Sequence, residues 1–323
     1  MTPSPIAPAI EPATATWSYK RVVPVVLLAA ALVAPLAIYP IFLMKVLCFA
    51  LFACAFNLMI GYAGLLSFGH AAFFGGAAYI TGHAVKIWGL PPEIGILLGT
   101  LSAVALGAAF GLLAIRRQGI YFAMITLALS QLVFFMALQL PFTHGEDGIQ
   151  GIPRGHLFGI IDLNDTYAMY YTVLAIFLFG FGLIWRAMQS PFGHTLRAIR
   201  DNEPRAISLG YHTERYKLLA FVLSAGLSGL AGSTKALVFQ MATLTDVTWQ
   251  MSGEVVLMTL LGGMGTLLGP VVGAGLVLTM QNYLAMTNLP VPVIIGVTFV
   301  ICVMVFRRGI VGELKHRLMA KKG

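Results

Sequence analysis

The polar residues that could do chemistry in this chain stand inside long apolar intervals. Asn57, Ser67 and His70 lie in an interval, 46–85, that contains no Asp, Glu, Lys or Arg. Burying a polar group without a hydrogen-bond partner costs about 2–7 kcal/mol, so each of the three needs a partner or a ligand. Two interpretations of His70 stay open: a hydrogen bond between helices, or direct contact with a substrate.

Glycines interrupt the same interval. Glycine lets the backbone leave helical geometry, and a broken helix can aim amide or carbonyl dipoles at a zwitterionic ligand. We therefore expect a substrate path whose candidate residues are Asn57, Gly61, Tyr62, Gly64, Ser67, Gly69 and His70.

Catalytic and cofactor motifs give no comparable signal. Gly226 to Gly229 reads GLSG, like the GxSG of intramembrane serine proteases, but that chemistry needs a later His base. The only later His is His316, in a basic tail, so Ser228 is interpreted as a packing residue. The sequence contains no Gly-Lys pair and hence no ATP-binding P-loop. No metal-ligand spacing is present either, and Cys48, Cys54 and Cys302 are interpreted as small buried residues. The sequence predicts no catalytic residue, metal or cofactor in this chain.

The composition identifies the elements that must position these residues. Of 323 residues only 10% are charged and 59% are hydrophobic, with a mean hydropathy of +0.87. A soluble domain has about 25% charged residues, so this chain is predicted to be an integral membrane protein. The net charge of +8 is interpreted as Lys- and Arg-rich cytoplasmic loops, which are typical of membrane proteins, rather than as a sign of nucleic-acid binding.

The charge-free intervals predict the membrane spans. A span needs about 20 residues, so the 46–85 interval holds two and 255–306 holds two or three. Breaks are expected at 61–64, 262–265 and 288–290. With ten crossings and a cytoplasmic N-terminus, 16 of the 20 Lys and Arg are cytoplasmic; the others are Lys45, Lys86, Arg154 and Lys235.

The predicted fold is therefore an all-α polytopic membrane protein. It has about ten transmembrane helices, some broken or re-entrant, with both termini in the cytoplasm. A flexible tail at 1–21 precedes a membrane domain at 22–306, and a basic cytoplasmic tail follows at 307–323. Glycines spaced four apart, Gly107 with Gly111 and Gly265 with Gly269 and Gly273, are expected to pack helices closely.

The cytoplasmic loop 186–217 carries a second candidate site. Phe192, Leu196 and Ile199 form an apolar stripe, Asp201 to Pro204 offers capping residues, and Gly210 is a natural stop. This pattern predicts short amphipathic helices that dock into a partner's groove. The alternative is a helix that lies on anionic lipid.

At this loop the sequence resembles a known family. SPFGHTLRAIRDNEPRAISLGY is similar to the EAA-type loop of ABC-importer permeases of the branched-chain amino acid type, with Glu203, Ala206 and Gly210 on its E-x-x-A-x-x-x-G core. Stretches at 57–79, 116–131, 145–154, 217–232 and 254–274 also resemble that family, in consistent order.

The resemblance implies a permease subunit of a high-affinity, LIV-type importer in the bacterial cytoplasmic (inner) membrane. Its partners would be a homologous second permease, two ABC ATPases that bind the ATP, and a periplasmic amino-acid-binding protein. Leu, Ile and Val are the implied substrates, and other amino acids, urea, amides and small aromatic acids stay open. An ion-coupled secondary transporter is the alternative; the scarcity of carboxylates in the spans weighs against it.

The resemblance also assigns roles to the loop residues. Leu196, Ile199 and Leu209 would fill the ATPase groove, and Asp201 and Glu203 would cap the docked helix. The full set of candidate coupling residues is Leu196, Arg197, Ile199, Arg200, Asp201, Asn202, Glu203, Ala206, Leu209 and Gly210.

A third candidate site is the loop 143–154, which is predicted to lie outside. Glu146, Asp147 and Arg154 could meet the binding protein through charge pairs. The alternative is a solvated turn that caps helix ends.

Overall fold

The computed structural model describes residues 29–284, 291–305 and 309–313. The main α-helices within these ranges are 29–37 (α1), Pro40–Asn57 (α2), His70–Lys86 (α3), Pro92–Ala114 (α4), Ile120–Gln139 (α5), Thr166–Gln189 (α6), Pro191–Asp201 (α7), Glu203–Ser208 (α8), Thr213–Phe239 (α9), Trp249–Gly262 (α10), Gly269–Leu284 (α11) and Val291–Val305 (α12). A short helix follows at 309–313. The predicted tail at 1–21, the start of the first span and the break at 288–290 lie outside the described residues.

The chain is an all-α polytopic membrane protein. In the part of the chain that the structure describes, five helical segments are long and apolar enough to cross a bilayer: Pro40–Ala63, Pro92–Ala114, Ile120–Gln139, Thr166–Gln189 and Thr213–Phe239. α3, α10 and α11 have 17, 14 and 16 residues, fewer than the roughly 20 that span about 30 Å. Short helices of this kind are what the sequence predicts for broken segments.

The break predicted at 61–64 is confirmed. α2 continues into a π-helical turn, Leu58–Ala63, which ends at Gly64 with φ +72°. That left-handed conformation suits glycine, because a Cβ there is strained. The chain then runs irregularly to the start of α3 at His70. Another irregular stretch, 263–268, separates α10 from α11 and overlaps the second predicted break.

α9 is the central helix, and α2, α3 and α4 pack around it. A Cβ added at Gly107 of α4 would collide with the Ala225 side chain, and one at Gly111 would meet Leu218 and Phe221. These glycines therefore let α4 approach α9 closely, as their spacing predicts. Gly232 of α9 lies against the backbone of Phe74 in the same way.

The two ends of α6 carry different structures, and its 24 residues separate them by about 36 Å. One end, here called the hairpin end, has two small antiparallel pairs: Ile149–Gln150 (β1) with Met241–Ala242 (β4), and His156–Leu157 (β2) with Ile161–Asp162 (β3). α7 and α8 lie at the other end, here called the coupling-loop end.

Candidate functional site

α7 is an amphipathic helix whose apolar face packs on its own chain. It begins with Pro191, which suits a first helical turn, and ends at Asp201. Leu196 and Ile199 are 0% and 2% exposed, and Leu196 belongs to the core that includes Ile184 and Phe221. The expectation that these two side chains fill an ATPase groove is therefore wrong, because both are already covered by this chain.

Two arginines of α7 contact the π-helical turn that follows α2. Arg200 Nη1 donates to the carbonyl oxygen of Gly61 at 2.5 Å. The Arg197 guanidinium lies 5.4 Å from the centre of the Tyr62 ring, and its Nη2 donates to the Met188 carbonyl at 2.9 Å. The predicted coupling residues and the predicted substrate path thus meet directly, which their positions in the sequence do not reveal.

α8 is capped by Asn202 rather than by its acidic neighbours. The Asn202 side chain accepts a hydrogen bond from the Arg205 backbone N–H at 3.0 Å. Asp201 instead pairs with Arg200 at 3.0 Å, and Glu203 pairs with Lys217 of α9 at 2.5 Å. The expectation that Asp201 and Glu203 cap the helix is corrected accordingly. Lys217 is only 3% exposed, so this ion pair ties α8 to the base of α9.

Three apolar residues at the C-terminal end of α8 and directly after it are exposed. Ile207, Leu209 and Tyr211 are 56%, 69% and 44% exposed, whereas Ala206 is buried. Gly210 ends the segment with φ +84°, so the stop predicted there is confirmed. These three side chains form an exposed apolar group at the C-terminal end of α8.

Asn57 joins the two breaks of the membrane domain. Its Nδ2 donates to the Thr266 carbonyl at 2.9 Å, and its Oδ1 accepts from the Gly265 backbone N–H at 2.9 Å. One side chain thus satisfies two backbone groups of the 263–268 stretch, which a helix would otherwise pair. A Cβ at Gly61 would collide with the Gly265 backbone, so that position requires glycine.

Hydroxyl groups from other helices satisfy the irregular segment before α3. The Phe68 N–H donates to Thr126 of α5 at 3.2 Å. Ser252 of α10 donates to the Phe68 carbonyl at 2.8 Å and accepts from the Ala71 N–H at 3.0 Å. The Gly69 N–H donates to Ser67, which is itself 0% exposed. Two other helices, α5 and α10, therefore fix this segment, although Thr126 and Ser252 carry no motif that singles them out.

His70 links α3 to α9. Its Nε2 lies 2.8 Å from Ser224 Oγ, and Ser224 donates to the Ala55 carbonyl at 2.5 Å. Because the Ser224 hydrogen is used on Ala55, His70 Nε2 is the donor in the first bond. His70 is 0% exposed and lies among the rings of Phe56, Phe73 and Phe221. In this conformation His70 makes the bond between helices that was one of its two interpretations.

Ser228 and two of the cysteines occupy packing positions. Ser228 is 0% exposed and donates to the Ser224 carbonyl one turn earlier in α9. Cys48 and Cys54 are both 2% exposed in the core. The side chain of Cys302 lies outside the described residues.

The three residues predicted in the loop at the hairpin end differ in their surroundings. Glu146 and Asp147 are exposed, in a short 3₁₀ turn. Arg154 instead donates to the carbonyls of Val238 at 2.7 Å and Leu237 at 3.4 Å, so it caps the last turn of α9. Burial lowers the pKa of Arg154 from its usual value, yet the guanidinium stays charged. Helix capping was the alternative interpretation of this loop, and it describes Arg154.

Comparison with known sequences assigns this chain to a protein family. Residues 38–306 match the family model described as branched-chain amino acid transport system / permease component. The chain belongs to this permease family. The matched region contains both breaks and the whole of α7 and α8.

The curated relatives are permeases of import systems. The high-affinity branched-chain amino acid transport system permease protein LivM of Escherichia coli (strain K12) is 26% identical over 290 residues, covering 83% of this chain and 68% of LivM. The ribose import permease protein RbsC of Bacillus subtilis (strain 168) is 26% identical over 248 residues, covering 72% and 73%. The autoinducer 2 import system permease protein LsrC of Salmonella typhi is 27% identical over 173 residues, covering 51% and 48%. No solved structure matches the chain.

The family decides between the two classes of transporter that the sequence leaves open. This chain is a permease component of an ABC import system, not an ion-coupled secondary transporter. Permease components of this family are not enzymes in themselves. The three relatives differ in the substrates that their names give, so the family alone does not fix the substrate.

Proposed function

We propose that this chain is the permease subunit of an ATP-driven importer of branched-chain or related hydrophobic amino acids in the bacterial inner membrane. It forms half of the translocation path with a homologous second permease. Two ABC ATPases bind the ATP and dock on the coupling-loop end, and a periplasmic amino-acid-binding protein delivers the substrate at the hairpin end. This chain binds no cofactor of its own. The relative LivM, which carries branched-chain amino acids in its name, supports the substrate class.

The observation that carries this proposal is the hydrogen bond from Arg200 to Gly61. α8 offers an exposed apolar surface, and Arg200, at the other side of the same loop, holds the end of α2 where its helix breaks. A partner that moves α7 therefore also displaces the end of α2, because Arg200 is bonded to Gly61. The 263–268 break moves with it, because Asn57 is hydrogen-bonded to Gly265 and Thr266. Substrate access alternates when these breaks shift.

The directions in which the helices run support the proposal of ten membrane crossings. Lys86 at the end of α3 donates to Gln150, and β4 after α9 pairs with β1, so both helices run toward the hairpin end. α2 and α10 run toward the coupling-loop end, where Gly61 lies against Gly265. On this basis α1 to α6 and α9 to α12 alternate as ten spans, and we place both termini in the cytoplasm.

The docking surface is tested by Leu209→Asp. A charge in the apolar group on α8 is expected to weaken binding of the purified ATPase about 10- to 100-fold, because it must be desolvated on docking. Ile160→Asp is the matched control, since Ile160 is 87% exposed at the hairpin end. Equal ATPase binding by both variants would contradict docking through α8.

The transmission step is tested by Arg200→Met in the complete importer, reconstituted in proteoliposomes. Loss of a charged hydrogen bond to Gly61 is expected to reduce amino acid uptake per ATP hydrolysed about tenfold. ATPase binding should persist, because Arg200 lies outside the α8 surface. Unchanged uptake per ATP would refute the role of this bond.

A further inference from the structure

Two charged side chains of opposite sign lie inside helices of the membrane domain. Lys45 is part of α2, within a segment that is long and apolar enough to cross a bilayer, and Glu254 is part of α10. Each stands five residues after the start of its helix at the hairpin end, which is about 7.5 Å along the axis. Ionisable residues at such positions are costly in lipid and usually mark the path of an ion or a substrate.

The helices α2, α10 and α11 pack against one another around these two residues. A Cβ added at Gly273 of α11 would collide with the Met258 carbonyl oxygen of α10, one turn away from Glu254. Further along α11, the Gln281 side-chain amide interacts with the Glu254 carboxylate, and Lys45 acts on the same carboxylate electrostatically. Three helices thus bring an ammonium, a carboxylate and an amide together near the hairpin end.

The ammonium of Lys45 and the carboxylate of Glu254 are near each other but are not joined. Among the described residues neither forms a salt bridge, and both are partly exposed. Lys235 and Asp246, by contrast, are 2.6 Å apart with side chains at most 10% exposed. Opposite charges attract strongly where water is absent, so an open pair indicates that water or a ligand solvates both groups. This face of α2 and α10 therefore borders an aqueous space and not lipid.

An α-amino acid is the ligand whose charges match this open pair. Its carboxylate complements Lys45, its ammonium complements Glu254, and its binding leaves the net charge of the site unchanged. A second protein packed dry against this face would remove the water from both charges, which is costly unless it supplied a counter-charge to each. The two charged groups are common to all α-amino acids, so recognition by this pair does not depend on the side chain of the substrate.

We propose that Lys45 and Glu254 form the outer binding point of the transport path for the α-carboxylate and α-ammonium groups of the amino acid. Lys45 binds the carboxylate, whereas Glu254, oriented by Gln281, binds the ammonium. The inference rests on the proposed function and adds the residues of this chain that receive the substrate at the hairpin end. Asn57, which joins the two breaks, lies about 18 Å further along α2 from Lys45 toward the coupling-loop end.

A double-mutant cycle in the complete importer, reconstituted in proteoliposomes, tests this assignment. Lys45→Met and Glu254→Gln should each lower the uptake of leucine and valine about tenfold, the value of one hydrogen bond to a charged group. Because the two side chains bind separate ends of the substrate, the losses should multiply to about 100-fold in the double variant. Lys86→Met is the matched control, since Lys86 is exposed at the hairpin end, and it should keep wild-type uptake.

Cysteine labelling gives an independent readout of the aqueous face. Gly253 precedes Glu254, and no described atom lies within 4 Å of a Cβ added there. The background is the complete importer with the three cysteines of this chain replaced by alanine. A charged, membrane-impermeant thiol reagent should modify Gly253→Cys about tenfold faster than Leu97→Cys, because the reactive thiolate forms in water and not in lipid. Leu97 is the control at matched depth, since it is 56% exposed and five residues into α4.

Four results would overturn the proposal. Wild-type uptake by either single variant would remove that residue from the site. A double variant that transports no worse than the single variants would show that the two charges serve only each other. Loss of assembly with the second permease in the single variants would make this face a subunit contact, and equal labelling of the two cysteines would make it dry. A wild-type importer that takes up neither amino acid would overturn the proposed function first, before any variant is compared.

Discussion

At the scale of single residues, the ion pair between Lys235 and Asp246 is a feature that the sequence does not predict. Charge counting places Lys235 in the outer solvent, yet its Nζ lies 2.6 Å from the Asp246 carboxylate and both side chains are at most 10% exposed. The same carboxylate oxygen accepts from the Thr243 backbone N–H and hydroxyl. The pair therefore ties the end of α9 to the turn that leads into α10.

Removing one partner of this pair should be costly. Lys235→Met is expected to destabilise the protein by about 3–5 kcal/mol, because it leaves the Asp246 charge buried without its counter-ion. Thermal or denaturant unfolding in detergent micelles measures the change. The double variant Lys235→Met with Asp246→Leu should recover most of the loss, since two apolar side chains need no counter-ion.

The hairpin end provides a matched exposed pair for comparison. His156 and Asp162 are 3.8 Å apart with side chains 61% and 51% exposed. His156→Ala should leave stability nearly unchanged, because water screens an exposed pair. A loss in Lys235→Met no larger than the loss in His156→Ala would show that the Lys235 pair is solvated after all.

At the scale of helices, glycine packing between α4 and α9 sets the architecture. Gly107→Val is expected to destabilise the protein by about 1–3 kcal/mol, because a Cβ at Gly107 already collides with Ala225 and α4 must move away. Gly182→Ala on α6, where the Cβ meets open space, should be neutral or stabilising by up to about 1 kcal/mol. Unfolding of both variants in the same detergent gives the comparison, and equal stabilities would exclude a packing role for Gly107.

Helix existence and helix breaks were largely predictable at this scale, whereas helix partners were not. Glycine content located the break at Gly64 because the positive φ there suits glycine. Periodicity also identified the apolar face of α7, but a period tells which residues share a face and not what covers it. Leu196 and Ile199 were therefore assigned to a partner, although they pack on their own chain.

Distance along the chain explains what the sequence could not show of the site. Asn57 was predicted as a polar residue in need of a partner, but its partners, Gly265 and Thr266, stand more than 200 positions later. The ion pair of Glu203 with Lys217 crosses from a loop to a membrane helix in the same way. Only packing in three dimensions brings such groups together.

At the scale of the whole molecule, charge and geometry agree on the two ends. Arg116 and Arg117 follow α4, and Arg197, Arg200 and Arg205 lie in α7 and α8, all at the coupling-loop end. The helix at 309–313 belongs to the same end, because Gly309 lies against Gly263 and the Leu260 carbonyl. Basic loops remain on the cytoplasmic side, so this end is expected to face the cytoplasm.

Reporter fusions test this topology. A reporter fused after Gly323 should score as cytoplasmic, because an even number of crossings returns the chain to the side from which it starts. A second reporter inserted at Gly159, in the exposed turn between β2 and β3, should score as periplasmic, since α5 and α6 both meet the hairpin end. A periplasmic signal from the fusion after Gly323 would rule out ten crossings. Cytoplasmic signals from both positions would instead contradict the assignment of the hairpin end to the side where the binding protein docks.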